Sequence, residues 1–497
     1  MTDGTTDLQA LAAEAYIYGY PMVLNLDQVD RVSRTGLGSV PPAPFNEFSH
    51  GTKLAGPGPG PGPGPSPSPG SDVPTDASAG PAGSAGPPEP PAPPDPNDDL
   101  LYSLAQLDLS GGALLLTVPD TGGRYYVLQF VDAWTNNFAY VGRRATGTGE
   151  ASYLLTPPGW DEEVPLGATR ISVPTELATI VGRWACTGPD DAAAVRALQE
   201  DTLLEPYWTA TGESHGLPTH TYIPEEEPEI RFYEKLRARM AALPPAPADR
   251  SYQQRFAPLG LLDAESPYAH PEPELAKALR AGFAAGKEQV EQAAVASVAS
   301  AASAASAASA HADQGDARQN GWQPSYHAFD FNADHFEVGT RKDPQWICAD
   351  RESGRMRRAT SAHTMLWGKH GYEAAYAMAW DDGDGRPLDG EHAYTLRFEK
   401  PPPVDAFWSV TMYGLPDRGL VADPVERHSI GDRTPGLSHD DDGSLTLLLQ
   451  RQRPADDKTA ANWLPTPEGR FRPVLRMYMP RAAVFDGTYE LPPIRRA

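Results

Sequence analysis

Cysteine is almost absent from this chain. Cys186 and Cys348 are the only two in 497 residues, so a disulfide framework is excluded, and neither a CxxC pair nor a Cys/His zinc spacing can be written. Positive charge is scarce as well: 41 Lys and Arg stand against 66 Asp and Glu, a formal net charge of −25. Such a surface repels phosphate backbones, so neither nucleic acid nor an anionic membrane is expected as a partner, although local arginines can still gather an anionic small molecule. Long apolar runs are missing too. No window supplies the roughly 20 apolar residues that cross a bilayer, and the opening MTDGTTDLQ has neither a positive n-region nor a small-residue cleavage site. The expectation is a cytoplasmic protein.

Several catalytic signatures are also lacking. No glycine fingerprint follows a strand and no α/β alternation appears, which removes a dinucleotide-binding core; Gly147–Thr148–Gly149 reads as a turn. Ser429 has no Gly-x-Ser-x-Gly elbow around it. The histidines are scattered without HExxH. The nearest metal-like groups are His327 with Asp330, and Asp334 with His335, and solvated loop use accounts for both. The acidic runs at 381–384 and 440–442 do not fit the twelve-residue calcium loop and read as hairpin tips. Neither a metal nor a cofactor is expected.

What is present is a chain long enough for two or three cores. Asp7 or Thr6 caps a first helix in which Leu8, Leu11, Ala12, Ala15 and Tyr16 recur at helical spacing up to Pro21. Residues 56–96 are a Pro, Gly, Ser and Ala tract that cannot bury enough side chain to offset its ordering entropy, hence a disordered surface insertion. Short apolar runs separated by turn signals fill 97–190, the texture of a β-sandwich. Helical patterns occupy 191–320 and end in an Ala/Ser repeat suited to an extended helix or linker. Strand texture returns in 321–497 as a second β domain.

The succession AFWSVTMYG (406–414), RHSIGDR (427–433), DGSLTLLLQ (442–450) and NWLP (462–465), with segments 102–108 and 123–137 upstream, resembles the bacterial proteins that pair domain of unknown function 1254 with domain of unknown function 1214. The resemblance covers roughly 8–55 and 97–497. It implies a mainly β fold with a helical insert: an N-terminal immunoglobulin-like β-sandwich, a helical middle and a C-terminal jelly-roll-like β-sandwich, with 1–55 as lead-in. Leu100 departs from the family's Asn-Asp-Thr-Tyr-Ser element, and His428 stands where that family usually has Tyr.

Candidate chemistry follows from residue type and face. Strand alternation over 124–136 places Arg124, Asp132, Trp134 and Asn136 on one side, a pocket rim if no bulge intervenes, or else a turn in which Asp and Asn bond backbone and Trp packs. Asp98 and Asp99, with Asn97 before them and Tyr102 after, can work as acid and base if a turn brings them together. On the last long strand Arg472, Val474, Arg476 and Tyr478 share one face, with Leu475, Met477 and Met479 on the other. Arg476 offers a fork for a carboxylate or phosphate, and a buried ion pair with Asp432 or Asp486 is the alternative. Trp408 and Tyr413 have opposite parity, so one enters the core while the other faces outward. Asn462 and Trp463 can stack a sugar or flat ligand, or plug the loop structurally.

These readings converge on an enzyme that transforms a small molecule by cofactor-independent acid/base chemistry, hydrolysis or elimination, on a polar or carbohydrate-like substrate between two β domains. Asp98, Asp132 and Arg124 are the expected catalytic residues. Trp134, Asn136, Tyr102, Trp463, Asn462, Arg476 and Tyr478 are the expected substrate contacts. The competing readings are a non-catalytic ligand-binding protein and an assembly subunit that forms homo-oligomers.

Overall fold

A computed structural model describes residues 7–56, 97–208, 210–303, 318–348, 350–416, 418–421 and 427–497. The Pro/Gly-rich stretch expected to be disordered therefore lies, apart from Gly56, outside the described residues. Seven α-helices are described: α1 (Leu8–Thr35), α2 (Ala192–Glu200), α3 (Pro228–Ala242), α4 (Arg250–Gln254), α5 (Pro273–Ser303), α6 (Arg351–Thr364) and α7 (Asp457–Ala461). Asp7 caps α1 by accepting from the Gln9 and Ala10 amides at 3.0 and 3.1 Å. The helix does not stop at Pro21, as expected, but runs on to Thr35. An internal Pro costs about 3 kcal/mol, and burying a single Leu or Val returns about 1.5–3 kcal/mol. Met22, Leu26, Val29 and Val32, all buried beyond the proline, outweigh it together.

Helix α1 is gripped by α3 and α5 through small residues. A Cβ on Gly282 or Gly286 of α5 would come within 2.4 Å of Ala12 or 2.8 Å of Tyr16, and one on Gly19 within 2.4 Å of Leu236. Helix α6, which the sequence does not announce, joins the same layer. Its buried face is only Gly354, Ala359 and Ala362.

The N-terminal half carries β1 (Phe48–His50), β2 (Leu100–Asp108), β3 (Leu114–Val118), β4 (Tyr126–Asp132), β5 (Asn137–Gly142), β6 (Ala151–Thr156), β7 (Ala168–Ser172), β8 (Leu177–Ala185) and β9 (Leu203–Pro206). They form two sheets, ordered β1-β2-β8-β4-β5 and β7-β6-β3-β9. Leu101, Ala105 and Leu107 of β2 meet Leu114 and Leu116 of β3 and Leu155 of β6 in the core between them. Strand β9, antiparallel to β3, brings this module past residue 190 into the stretch read as helical.

The C-terminal half carries β10 (Trp322–Pro324), β11 (Ala374–Ala379), β12 (Tyr394–Phe398), β13 (Val404–Gly414), β14 (Ser429–Gly431), β15 (Leu445–Gln450), β16 (Trp463–Pro465), β17 (Phe471–Pro480) and β18 (Ile494–Arg496). They also form two sheets, ordered β10-β11-β17-β13-β14 and β16-β15-β12-β18, around a core that includes Trp408, Val410, Leu447 and Leu475.

Strands β4 and β8 are buried at every position. An antiparallel strand with one wet face would alternate, so both faces of this sheet must be covered. One face packs on its own core; the other meets the helical layer through Leu104, Val131, Leu177 and Val181, and the C-terminal five-stranded sheet through Leu100, Val127 and Ala185. Opposing them from the C-terminal half are Ala374, Phe407 and Tyr478. The two five-stranded sheets thus face each other across their outer surfaces. Among the described residues no helix is long and apolar enough to cross a membrane.

Candidate active site

Alternation along β17 sends Phe471, Leu475 and Met477 into the C-terminal core and turns Arg472, Val474, Arg476 and Tyr478 toward the N-terminal module. The parity expected of this strand holds as far as Tyr478; Met479 then leaves the pattern at φ 52°. On neighbouring β13, Trp408 enters the core while Tyr413 takes the opposite face. Arg476 lies between Ser409 of β13 and Tyr376 of β11 in the strand register. It is buried, and donates to Thr411 Oγ1 at 2.7 Å and to Tyr413 Oη at 2.6 Å.

The 97–99 turn meets this face from the other module. Asn97 Oδ1 accepts from the Asp99 amide at 2.8 Å, an Asx turn, and Asn97 Nδ2 donates to Tyr478 Oη at 2.7 Å. Asp99 is well supplied with donors: Ser409 Oγ at 2.5 Å, Tyr478 Oη at 3.2 Å and Arg433 at 3.5 Å. Asp98 is not, because its Oδ1 is buried with no hydrogen-bond partner among the described residues. Burial first, and the Asp99 charge second, push the Asp98 carboxyl up to about 7, against the pull of Arg476 and Ser429.

A second loop, 367–371, brings a lysine to the same place. Gln129 Nε2 and Asn137 Nδ2 both donate to the Gly368 carbonyl at 2.9 Å, Arg183 donates to the Trp367 carbonyl at 2.8 Å, and the His370 amide donates to Tyr140 Oη at 3.1 Å. Position 368 must be glycine, since a Cβ there would stand 1.9 Å from the Phe329 ring. The loop so pinned places Lys369 Nζ 5.7 Å from the centre of the Tyr478 ring, buried and with no hydrogen-bond partner among the described residues. Desolvation, helped by the Arg183 charge, holds its ammonium pKa well below the usual lysine range, so the neutral amine is favoured. Tyr125, edge-on to Tyr478 at 5.5 Å, also has a buried hydroxyl without a partner among the described residues. Nearby Glu373 is raised by burial and bonded to Arg144.

Of the residues singled out in the sequence, Asp98, Tyr102, Arg476 and Tyr478 gather here; Tyr102 takes part through its ring, which Arg183 covers at 5.6 Å. Asp132, Trp134 and Asn136 do not. They form a turn in which Asp132 Oδ1 and Oδ2 accept from the Asn136 amide and Nδ2, both at 2.8 Å, while Trp134 Nε1 donates to the Leu243 carbonyl at 3.0 Å. A register shift after Phe130, and Thr135 at φ 68°, break the strand alternation that would have lined them up, and they face the helical layer.

Arg124 is committed elsewhere, clamping Asp191 at the start of α2 with two 2.7 Å bonds and donating to the Ala185 carbonyl. Asn462 ties Ser438 to Thr446, and Trp463 donates to the Gln450 carbonyl at 2.7 Å from a buried position. His327 lies 2.6 Å from Asp330, Asp334 pairs with Arg351, and among the described residues no group of three or more His, Cys, Asp or Glu is placed to hold a metal ion. Lys369 and Arg183 went unnoticed in the sequence. The usable signal was a lone lysine between Gly368 and Gly371 in an otherwise aromatic stretch.

Residues 83–206 match the protein family of unknown function DUF1254, and residues 373–482 match the protein family of unknown function DUF1214. The pairing is the one expected from the motifs. No curated protein matches the chain. Among solved structures, the VPA0106 protein from Vibrio parahaemolyticus is similar at a TM-score of 0.67 and 22% identity, over 99% of this chain and 100% of that one, which shows a shared fold. An uncharacterized protein from Burkholderia cenocepacia reaches a TM-score of 0.37 at 12% identity over 82% of this chain and 78% of that one, too little to carry an argument.

Proposed function

From a chain that carries domains of unknown function 1254 and 1214 together, we propose an enzyme that transforms a polar or carbohydrate-like small molecule between its two five-stranded sheets, by hydrolysis or elimination with side-chain acids and bases. One observation carries this reading. Three buried polar atoms have no hydrogen-bond partner among the described residues: Lys369 Nζ and Tyr125 Oη, on side chains that flank Tyr478, and Asp98 Oδ1, whose carboxyl feels the Arg476 charge. A buried polar atom left unsatisfied costs about 1–3 kcal/mol, and three along one sheet interface argue for a polar ligand that satisfies them.

The roles follow from the charge states. Asp98, titrating near neutrality, donates a proton to a leaving oxygen or removes one from an attacking water. Lys369, its ammonium disfavoured by burial, is a base toward a carbon-bound or hydroxyl proton. Arg476 offers fixed positive charge to a carboxylate or to negative charge developing on the substrate. The expected partner roles of Asp132 and Arg124 pass in this reading to Lys369 and Arg476. A non-catalytic binder would use the same polar groups but has no need of a carboxyl tuned to about 7.

The test is to incubate the purified chain, at substoichiometric concentration, with a metabolite extract followed by untargeted mass spectrometry. One compound depleted far beyond the protein concentration, with a matching new mass, supports the enzyme. Depletion limited to one equivalent and reversed on denaturation means a binding protein. The same reading takes the chain as soluble and cytoplasmic, its sheet pairs as immunoglobulin-like and jelly-roll-like, and a homo-oligomer as the alternative built on its sheet edges. Sedimentation as a strict monomer would remove that alternative.

A further inference from the structure

Trp367 stands at φ 59°, a left-handed conformation that a bulky side chain adopts only when its surroundings enforce it. Its indole Nε1 donates to Asn25 Oδ1 of α1 at 2.8 Å, and Asn25 Nδ2 donates in turn to the Asp132 and Ala133 carbonyls at 3.2 Å. Arg183 of β8 donates to the Trp367 carbonyl at 2.8 Å. Gly368, one residue on, is held by Gln129 and Asn137 and admits no Cβ. Backbone strain enforced from several elements gathers where one side chain has to be held in place, and the side chain that follows is Lys369.

Lys369 and Arg183 meet at this loop without a carboxylate paired to either. Arg183 is buried and donates to two neutral oxygens, Gln129 Oε1 at 2.6 Å and the Trp367 carbonyl; among the described residues it forms no ion pair. Lys369 is 2% exposed, and its Nζ has no hydrogen-bond partner among the described residues. Burial first, then the charges of Arg183 and Arg476, disfavour its ammonium; Glu373, which favours it, is bonded to Arg144. An ammonium buried beside a guanidinium, with no acceptor for its three protons, costs far more than an amine, so the geometry by itself keeps the lone pair on Nζ. A desolvated amine next to a fixed positive charge is an activated nucleophile. A product that carries negative charge suits the same surroundings, because Arg183 attracts it where it repels an ammonium.

We propose that Lys369 is a carbamylation site, at which Nζ adds carbon dioxide and the resulting carbamate lies in the field of Arg183. The nitrogen lone pair forms the N–C bond, one C=O π pair passes to oxygen, and a proton leaves nitrogen for water, so one CO2 is taken up and one proton is released. Size and charge commit the reactant. A neutral triatomic molecule can enter a densely packed interface, whereas bicarbonate has to shed its hydration and a larger carbonyl compound needs more room. The inference goes beyond the reaction proposed above and needs no substrate, since CO2 is its only reactant.

Carbon-13 NMR of the full chain in 13C-labelled bicarbonate at neutral pH tests this, with triethyloxonium trapping and peptide mapping to locate the label. The expected result is one carbamate resonance per chain that disappears on degassing. Trapped label on Lys369 should exceed that on the exposed Lys400 and Lys458 roughly tenfold or more, the effect of a single unit in amine pKa. Lys369→Met should lose the resonance while keeping its Tm, and the urea-unfolded wild type should lose the preference for Lys369. No carbamate resonance from the native wild type would overturn the proposal. So would label on other amines but not on Lys369, a resonance that survives in Lys369→Met, or equal labelling of Lys369 in the native and unfolded chains.

Discussion

Burial acts in opposite directions on Asp98 and Lys369, and both shifts favour the uncharged form. An acid whose folded pKa is raised contributes stability that is complete below its unfolded pKa and is lost as pH rises through the folded one. For Asp98 that window runs from the ordinary 3.8 to about 7. Asp98→Asn, which mimics the protonated form, should therefore match the wild type in Tm near pH 4 and exceed it at pH 8. His370, lowered from 6.5 to about 3 by burial, has the opposite slope and loses stability as pH falls through that range. The difference between variant and wild type, measured at each pH, isolates Asp98; a constant difference across the range would contradict the assignment.

Lys369→Met replaces a buried amine that has no hydrogen-bond partner among the described residues by an apolar side chain of similar length. Swaps of this kind are neutral or stabilising. Tm should be unchanged or higher while turnover is lost, whereas a structural lysine would show the reverse.

Elements differ in how plainly the sequence announces them, and packing explains the differences. The outward face of β17 is legible because a strand buried on both sides still alternates, and an arginine at a buried position stands out against Leu475 and Met477. Helix α6 is not legible: RESGRMRRATSAHT has almost no apolar stripe, and it is held by Gly354, Ala359 and Ala362 together with its arginine contacts. The α1 helix beyond Pro21 is hidden for a related reason, since local propensity opposes what tertiary burial enforces. The 367–371 loop is defined by contacts from β4, β5 and β8 that no local pattern reveals. Gly368→Ala should cost about 1–3 kcal/mol, as overpacking does. Denaturant unfolding would measure it, and activity should fall further than stability because Lys369 is displaced. A variant as stable and active as the wild type would contradict the tight contact with Phe329.

At the scale of the molecule, chain order does not follow layer order. The helical layer is assembled from α1, α3, α5 and α6, so one of its members comes from the C-terminal half, and β9 returns to the N-terminal sheets after α2. A linear reading could recognise two β regions and a helical one, and the family pairing, but not which surfaces close on each other. For that reason Asp98 and Arg476 were recognisable as candidates for one place between the β domains while Lys369 was not, and for Asp132 with Trp134 the structure takes the turn alternative rather than the pocket rim. Because the sheets bury apolar and charged groups against each other and α6 ties the C-terminal half to α1, unfolding should be a single transition, with far-UV dichroism and tryptophan fluorescence coinciding. Two separated transitions would mean that the modules are energetically independent.

The most direct test of a reaction centred on Asp98 is to compare the wild type with Asp98→Asn in the same metabolite extract, measuring the equivalents of each compound consumed per protein. Many equivalents of one compound should be converted by the wild type, and at most one equivalent retained, unchanged, by the variant. Conversion by Asp98→Asn at the wild-type rate, or no conversion beyond one equivalent by the wild type, would contradict it.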